Sequence, residues 1–484
     1  MRAHVSEKAA VAVVFTAAVF MSALDTTIVN VALPTIGRDL NAAPTAVGAI
    51  SVAYLVSLGL FMPASGWLGD RFGGKRVLLA ATVIFTVASA LCGAATSLGE
   101  LVAFRVLQGV GGGMMTPVGM AMFFRAFPPD QRLRASAVLV VPTTLAPASG
   151  PVLGGLLISE LSWRWVFYIN VPVGVAAVSF GALFLRHRAE SRPGRFDLAG
   201  FLLSGAGLGL LMYGVSEGAN VGWGSPAILS GLILGAVLLT LAVLVERRVV
   251  DPMVAVRLLG DRLFRSGTMA TVLMSAAFIG TLYVMSLYLQ DGRGLSALAA
   301  GLSIFPEAVG VAVGSQLASR VLYPRLGPRL HIAAGLGLIT VAIGLMALLG
   351  AGSSLWWARL LMFAMGVGMA QVMLGTQTAS FATVSPEATG RASTLFSASR
   401  QLGAATGVAL LTTVIGLAGA THDVAGHVVA NLGSYQAAFA AAAIISLAGV
   451  PFALAIRDAD AAAAMPARLR APGRHAPVPP ASAA

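Results

Sequence analysis

A single cysteine, Cys92, in 484 residues excludes an intramolecular disulfide. No Cys/His spacing offers a metal site, and no metal or cofactor is expected. Charge is also scarce, at 10% of residues against about 25% in soluble domains. Acidic residues number 19 against 31 basic ones, a net charge of +12. Gly109-Val110-Gly111-Gly112-Gly113 has no strand before it and lies inside an apolar run. It is therefore no phosphate loop, and with no P-loop pattern elsewhere an ATP-driven pump is excluded. No residue is assigned a catalytic role, and an enzyme is not expected. The first apolar run lacks a small-residue cleavage site, so it reads as a retained helix rather than a signal peptide.

What is present is apolar. Hydrophobic residues make up 57% of the chain, mean hydropathy is +0.86, and there are 56 glycines. Nearly uncharged runs of 18 or more residues recur, each long enough to span a bilayer. The expected fold class is therefore an all-α integral membrane protein, with helices near 9–34, 44–65, 77–97, 101–124, 135–158, 164–185, 197–216, 227–245, 266–290, 297–319, 330–350, 355–380, 389–417 and 435–456. Arginines crowd the alternate loops: Arg71 and Arg76, Arg125 to Arg134, Arg186 to Arg195, Arg247 to Arg265, Arg320 to Arg329, and Arg391. Basic loops stay on the cytoplasmic side, so both termini are expected there. The same distribution argues against nucleic acid as the partner of the +12 charge. The Ala/Pro/Arg-rich segment 458–484 reads as a disordered tail. The Arg- and Ala-rich, Lys-poor usage fits a GC-rich bacterial genome, hence a bacterial inner (cytoplasmic) membrane.

Within the first run sits Asp25. A carboxylate at that depth costs roughly 2.5–3.5 kcal/mol on insertion scales, so it is expected to face protein or an aqueous cavity and to act there. It lies about fifteen residues into its helix, roughly 22 Å from the cytoplasmic end. Arg105 enters the fourth run from the other side, about one turn deep. Gln108 follows three residues later on the same helix face. Asp25 and Arg105 are thus expected at similar depths, with the Asp25 carboxyl a proton carrier tuned by its neighbour. Glu307 in the tenth run and Arg400 in the thirteenth both lie near the midplane, where they are expected to pair as a second charged centre.

The chain also repeats itself. Gly66-Trp67-Leu68-Gly69-Asp70-Arg71-Phe72-Gly73-Gly74-Lys75-Arg76 follows the second run. A degenerate copy, Gly314 to Arg320 and then Tyr323 to Arg329, follows the tenth. Arg105-Val106-Leu107-Gln108-Gly109 opens the fourth run, and Arg359-Leu360-Leu361 to Gly368 opens the twelfth. Parallel six-helix repeats mark one large transporter class. They divide the chain into a six-helix bundle at 1–190, a two-helix insert with its basic loops at 191–250, a second six-helix bundle at 251–457 and the tail.

These segments resemble the major facilitator superfamily, and within it the fourteen-helix drug:proton antiporters. The resemblance rests on Leu24-Asp25-Thr26-Thr27-Ile28-Val29-Asn30-Val31-Ala32-Leu33-Pro34, on the Gly66–Arg76 loop, on Arg105 to Gly109, on Gly150-Pro151-Val152-Leu153-Gly154-Gly155, on Trp163 to Gly174 and on Arg400 to Gly407. It implies a proton-coupled exporter of lipophilic or cationic drugs or antibiotics working by alternating access, a monomer in the lipid bilayer with protons as co-substrate. It gives Gly66, Asp70, Arg71, Gly73, Lys75 and Arg76 a gating role. It makes Gly150, Pro151, Gly154 and Gly155 flexing positions of an exporter helix. Glu307 departs from the family pattern, a place for cation recognition or a second proton site. Met and aromatic side chains suit varied apolar ligands. The candidate substrate contacts are Asn30, Tyr54, Gln108, Met115, Phe278, Tyr283, Tyr288, Phe305, Gln377, Phe381 and Phe396. Export of a lipid or an endogenous metabolite, proton symport into the cell, and a non-transporting sensor are the rival readings.

Overall fold

A computed structural model describes residues 6–42, 44–186, 196–249, 252–419, 421–424 and 427–461. Its helices fall on the expected apolar runs. α1 spans Glu7–Asp39, and Ser6 caps it by accepting from the Ala9 N–H. α2 comprises Ala49–Phe61 and Ala64–Phe72, which meet at a 55° bend beside Pro63. Proline supplies no backbone N–H, so a break in the ladder falls naturally there. α3 is Gly74–Ala94, α4 Leu98–Ala126 and α5 Pro129–Glu160. α6 comprises Trp165–Tyr168 and Asn170–Phe184. α7 is Leu198–Val221 and α8 Pro226–Glu246. α9 is Arg262–Leu287, and α10 comprises Ala297–Ile304 and Pro306–Leu317. α11 is Tyr323–Met346, α12 Leu355–Ser380, α13 Thr389–Leu417 and α14 Leu432–Leu447.

Among the described residues, ten helices are long and apolar enough to cross a membrane, or eleven if the bent α2 counts as one span. One of the ten is the 49-residue stretch Leu298–Met346. At 1.5 Å per residue it is about 74 Å long, more than twice a hydrocarbon core of about 30 Å. Gly327, at φ 70, kinks it near the start of α11. α4 and α5 are not among the ten. A short antiparallel hairpin, β1 Thr421–Val424 with β2 His427–Ala430, joins α13 to α14. This departs from the expectation of helices alone and lies outside the apolar runs.

The packing divides in two. One apolar core is built wholly from residues between Leu263 and Ala461. Another, from Leu24 to Phe167, lies wholly in the first half. Two further clusters bridge the halves. One joins α1, α3 and α4 side chains to Phe264, Phe381, Ala392 and Phe396, and the other joins Leu133, Ala137 and Val140 of α5 to Val311, Ala370 and Leu374. The insert helices pack on each other and on both halves. A side chain at Gly59 of α2 would meet Met212 of α7, and Trp223 Nε1 donates to Thr413 Oγ1 of α13 at 2.6 Å.

Several basic helix ends are tied to the ends of neighbouring helices. Lys75 at the start of α3 donates to the carbonyls of Ala182 and Leu185 at the end of α6. Arg262 at the start of α9 donates to Ala455 O beyond α14. Asp458 Oδ1 accepts from the Arg329 N–H at 2.9 Å. The first residues assigned to the disordered tail are therefore a docked turn. Residues 462–484, and the loop arginines Arg188, Arg192 and Arg195, lie outside the described residues.

Candidate functional site

Asp25 is fully buried on α1, and Arg105 of α4 is 1% exposed. Arg105 Nη1 donates to Asp25 Oδ2 at 2.5 Å and to Gln108 Oε1 at 2.7 Å, while its Nε donates to Ile50 O at 3.2 Å. Gln108 sits one turn on from Arg105, so its amide reaches the same carboxylate: Nε2 to Asp25 Oδ1 is 2.9 Å. Asn170 of α6 adds a weaker donor to Oδ1 at 3.4 Å. Ser89 of α3 ties the two amides together, accepting from both and donating to Phe167 O. The guanidinium lies over the Tyr54 ring at 4.3 Å, and the Tyr54 hydroxyl shares a hydrogen bond with Ser22. Side chains from α4 and α6 thus reach one carboxylate on α1, and α2 and α3 brace those side chains. Charge-assisted bonds of this kind are the strong ones, and they replace the water the carboxylate gave up. The sequence pointed to Asp25, Arg105 and Gln108. Ser89 and Asn170 went unassigned because a lone Ser or Asn in an apolar helix is common and carries no cost signal.

The second charged centre is different. No ion pair joins Glu307 to Arg400 among the described residues. Glu307 is buried on α10, its Oε1 without a hydrogen-bond partner and its carbonyl packed against Gly366. Arg400 of α13 lines a cavity of about 40 Å³ between the halves, together with Gln377, Met373, Phe15, Met120 and Phe124. Similar depth did not bring the pair together because depth fixes one coordinate and leaves the facing direction free.

Of the other candidate substrate contacts, Gln377 lines that cavity. Phe381 and Phe396 lie beside it in an aromatic plug, where Phe124 and Phe381 stack at 4.1 Å and 12°. Tyr54 and Met115 belong to the first half's interior. Phe278 and Tyr288 are core residues of the second half rather than cavity walls, and the Tyr288 hydroxyl donates to Gly350 O. Tyr283 and Phe305 are exposed. Asn30 is exposed as well, its Oδ1 accepting from Ser51.

The Gly66–Arg76 segment joins α2 to α3. Asp70 accepts from Arg125 Nη2 at 2.7 Å, and both lie beside Gly390 at the start of α13. A side chain at Gly66 would press on Gly390, Arg391 and Thr394 at 3.1–3.2 Å. Next to it Ser65 shares a 2.9 Å hydrogen bond with Thr394. Gly73 holds φ 86 at the turn into α3, a conformation costly for any other residue. Arg71 and Arg76 are exposed, and Lys75 binds within its own half. Arg132, which sequence reasoning missed, crosses the divide by donating to Phe381 O at 2.9 Å.

On α5, a side chain at Gly150 would collide with Thr27, and one at Gly154 would meet Ile28 and Val31. Both glycines face α1 directly beyond Asp25. Gly155 has open space, and Pro151 lies within the helix.

Two cored halves, joined by bridging clusters and enclosing buried charges, together with ten or eleven helices apolar enough to cross a membrane among the described residues, define a multi-pass helical membrane protein. The family model described as the Major Facilitator Superfamily matches residues 15–408, and the chain belongs to that superfamily of transporters. It is 32% identical over 459 residues to the tetracenomycin C resistance and export protein of Streptomyces glaucescens, covering 95% of this chain and 83% of that protein. It is 31% identical over 407 residues to the putative multidrug resistance protein MdtD of Pectobacterium carotovorum, covering 84% and 87% of the two. The multidrug resistance protein B homolog of Mycobacterium tuberculosis is 31% identical over 400 residues, covering 82% of this chain and 74% of that one. The human organic anion transporter MFSD10 (TETRAN) superposes with a TM-score of 0.65 over 93% of this chain and 100% of its own, at 17% identity, which speaks to the fold alone.

Proposed function

We propose that this chain is a proton-coupled antiporter that exports lipophilic compounds, including drugs or antibiotics, by alternating access. The observation that carries the reading is the buried Asp25 carboxylate held by Arg105, Gln108 and Asn170. Its donors come from α4 and α6. Protonation therefore weighs on the packing of α1 against α4 and α6, and movement of those helices weighs on protonation. Relatives named for resistance and export support the direction and the cargo.

In this reading the chain crosses a bacterial inner membrane fourteen times as a monomer, with both termini in the cytoplasm. Residues 1–190 and 251–457 are the two rocking bundles, 191–250 the insert. The Gly66–Arg76 loop is the cytoplasmic gate, and the arrangement described above is the state closed on that side. Gly150 and Gly154, packed on α1, let α5 slide on it. Glu307, buried with an unpartnered oxygen, is the second site of proton handling. Moving one charge through 100 mV is worth about 2.3 kcal/mol, enough to concentrate a substrate roughly fiftyfold.

Reconstitution into proteoliposomes with an imposed pH gradient tests this. A lipophilic dye should move against its concentration only while the gradient lasts. Equal movement with and without the gradient removes proton coupling from the account.

A further inference from the structure

The inter-half cavity holds a cation without a counter-ion. Arg400 forms no hydrogen bond or ion pair among the described residues, and its buried Nε is unpartnered. Among the described residues no Asp or Glu lines the cavity, and its other polar lining is the Gln377 amide and the hydroxyls of Thr116 and Ser136. The remaining wall is Phe and Met from α1, α4 and α12, with Val19 and Val140. Arginine has five donors, no acceptor, and keeps its proton in proteins. Arg400 is half-buried, with its Nε buried and unpartnered, so its guanidinium faces this largely apolar cavity with donors to spare. Its volume of about 40 Å³ holds about two or three waters and no drug-sized ligand. Phe124, one of its walls, stacks on Phe381.

We propose that this cavity, once the plug parts, is the binding site for a planar apolar ligand carrying an anionic oxygen, such as a carboxylate or an aromatic enolate. Arg400 receives the anion, Gln377 donates beside it, and the rings and thioethers of Phe15, Phe124, Met120 and Met373 cover the apolar body. An apolar pocket with one or two convergent polar groups is the usual form of a small-molecule site. A guanidinium fork matches a carboxylate in both geometry and charge. This sets the cargo expected from Arg400 apart from the cationic one expected from Glu307. It rests on the export reading for the direction of movement, but not for the binding itself.

The test uses three probes with one ring and one chain: 1-pyrenebutyrate, 1-pyrenebutanol and 1-pyrenebutylamine. Each is titrated at pH 7.5 into the full chain in lipid nanodiscs, read by tryptophan-to-pyrene energy transfer against protein-free nanodiscs. The butyrate should bind about tenfold tighter than the other two. Arg400→Gln should erase that preference while leaving the alcohol's affinity unchanged, and Arg400→Lys should keep part of it. Equal binding of the three probes, preference for the amine, or a uniform loss in Arg400→Gln overturns the assignment. If Arg400→Gln does not fold, Gln377→Leu serves instead. It should lower the butyrate preference severalfold, and an unchanged preference overturns the site. In proteoliposomes, absence of gradient-driven movement for every probe removes the export reading and leaves the site standing. Gradient-driven movement without head-group preference removes the site and leaves export.

Discussion

At Asp25 a desolvation cost is set against three side-chain donors. The carboxylate is reached by Arg105 at 2.5 Å and by Gln108 at 2.9 Å. Removing the cation and removing the anion therefore have different consequences. Arg105→Leu leaves a buried carboxylate uncompensated and is expected to cost about 3–5 kcal/mol of stability, read as a lower unfolding midpoint in detergent. Asp25→Asn keeps the shape and an acceptor for Arg105 but cannot exchange a proton in the relevant range. It should stay folded yet lose gradient-driven dye transport by at least tenfold, while binding the dye as before. Full transport by Asp25→Asn would take the proton role away from this residue. Asp25 was legible in the sequence because an acid in an apolar run has a cost, and Arg105 with Gln108 because i, i+3 spacing fixes a shared face. Ser89 and Asn170 come from helices whose rotation no local pattern sets. The same missing rotation separates Glu307 from Arg400 despite their similar depth.

At the scale of elements, breaks and crossings were partly readable. The repeated loop motif follows α2 and α10; Gly73 at φ 86 makes the turn after α2, and Gly327 at φ 70 kinks the start of α11. The bend within α2 and the split of α10 at Phe305–Pro306 follow from proline, though their angles do not. The β1–β2 hairpin was not foreseen, since eight residues of mixed polarity carry little periodic signal. On α5 the sequence named four small positions without ranking them, and packing ranks them. Gly150→Ala meets the Thr27 side chain and the Ile28 backbone nitrogen, which cannot both move aside. It should destabilise the α1–α5 contact by about 1–3 kcal/mol and slow transport. Gly155→Ala meets nothing within 4 Å and should be neutral or slightly stabilising. Thermal unfolding and transport rate of the two variants side by side check this. Equal effects would mean that the crossing does not limit motion.

For the whole molecule, alternating basic loops read from the sequence predict which helix ends share a face; Lys75 donates to Leu185 O, Arg262 to Ala455 O and the Arg329 backbone N–H to Asp458, three separate ties between neighbouring helix ends. Which ends touch across the halves was not readable, because that depends on the conformational state as well as the fold. The cross-half contacts here include the Ser65–Thr394 hydrogen bond, the packing of Gly66 and Asp70 on Gly390, the Arg132–Phe381 carbonyl bond and the Phe124–Phe381 stack. If alternating access is correct, these contacts must break in every cycle. Ser65 and Thr394 hold their oxygens 2.9 Å apart, close enough for a disulfide to replace the hydrogen bond. Cys92 is buried and is the one native thiol, so Cys92→Ala gives a clean background. In that background Ser65→Cys with Thr394→Cys should transport when reduced, stop when oxidised, and recover on reduction, with either single cysteine insensitive. Transport that continues in the cross-linked protein would mean that this face stays closed throughout, and that substrate reaches Arg400 by another route.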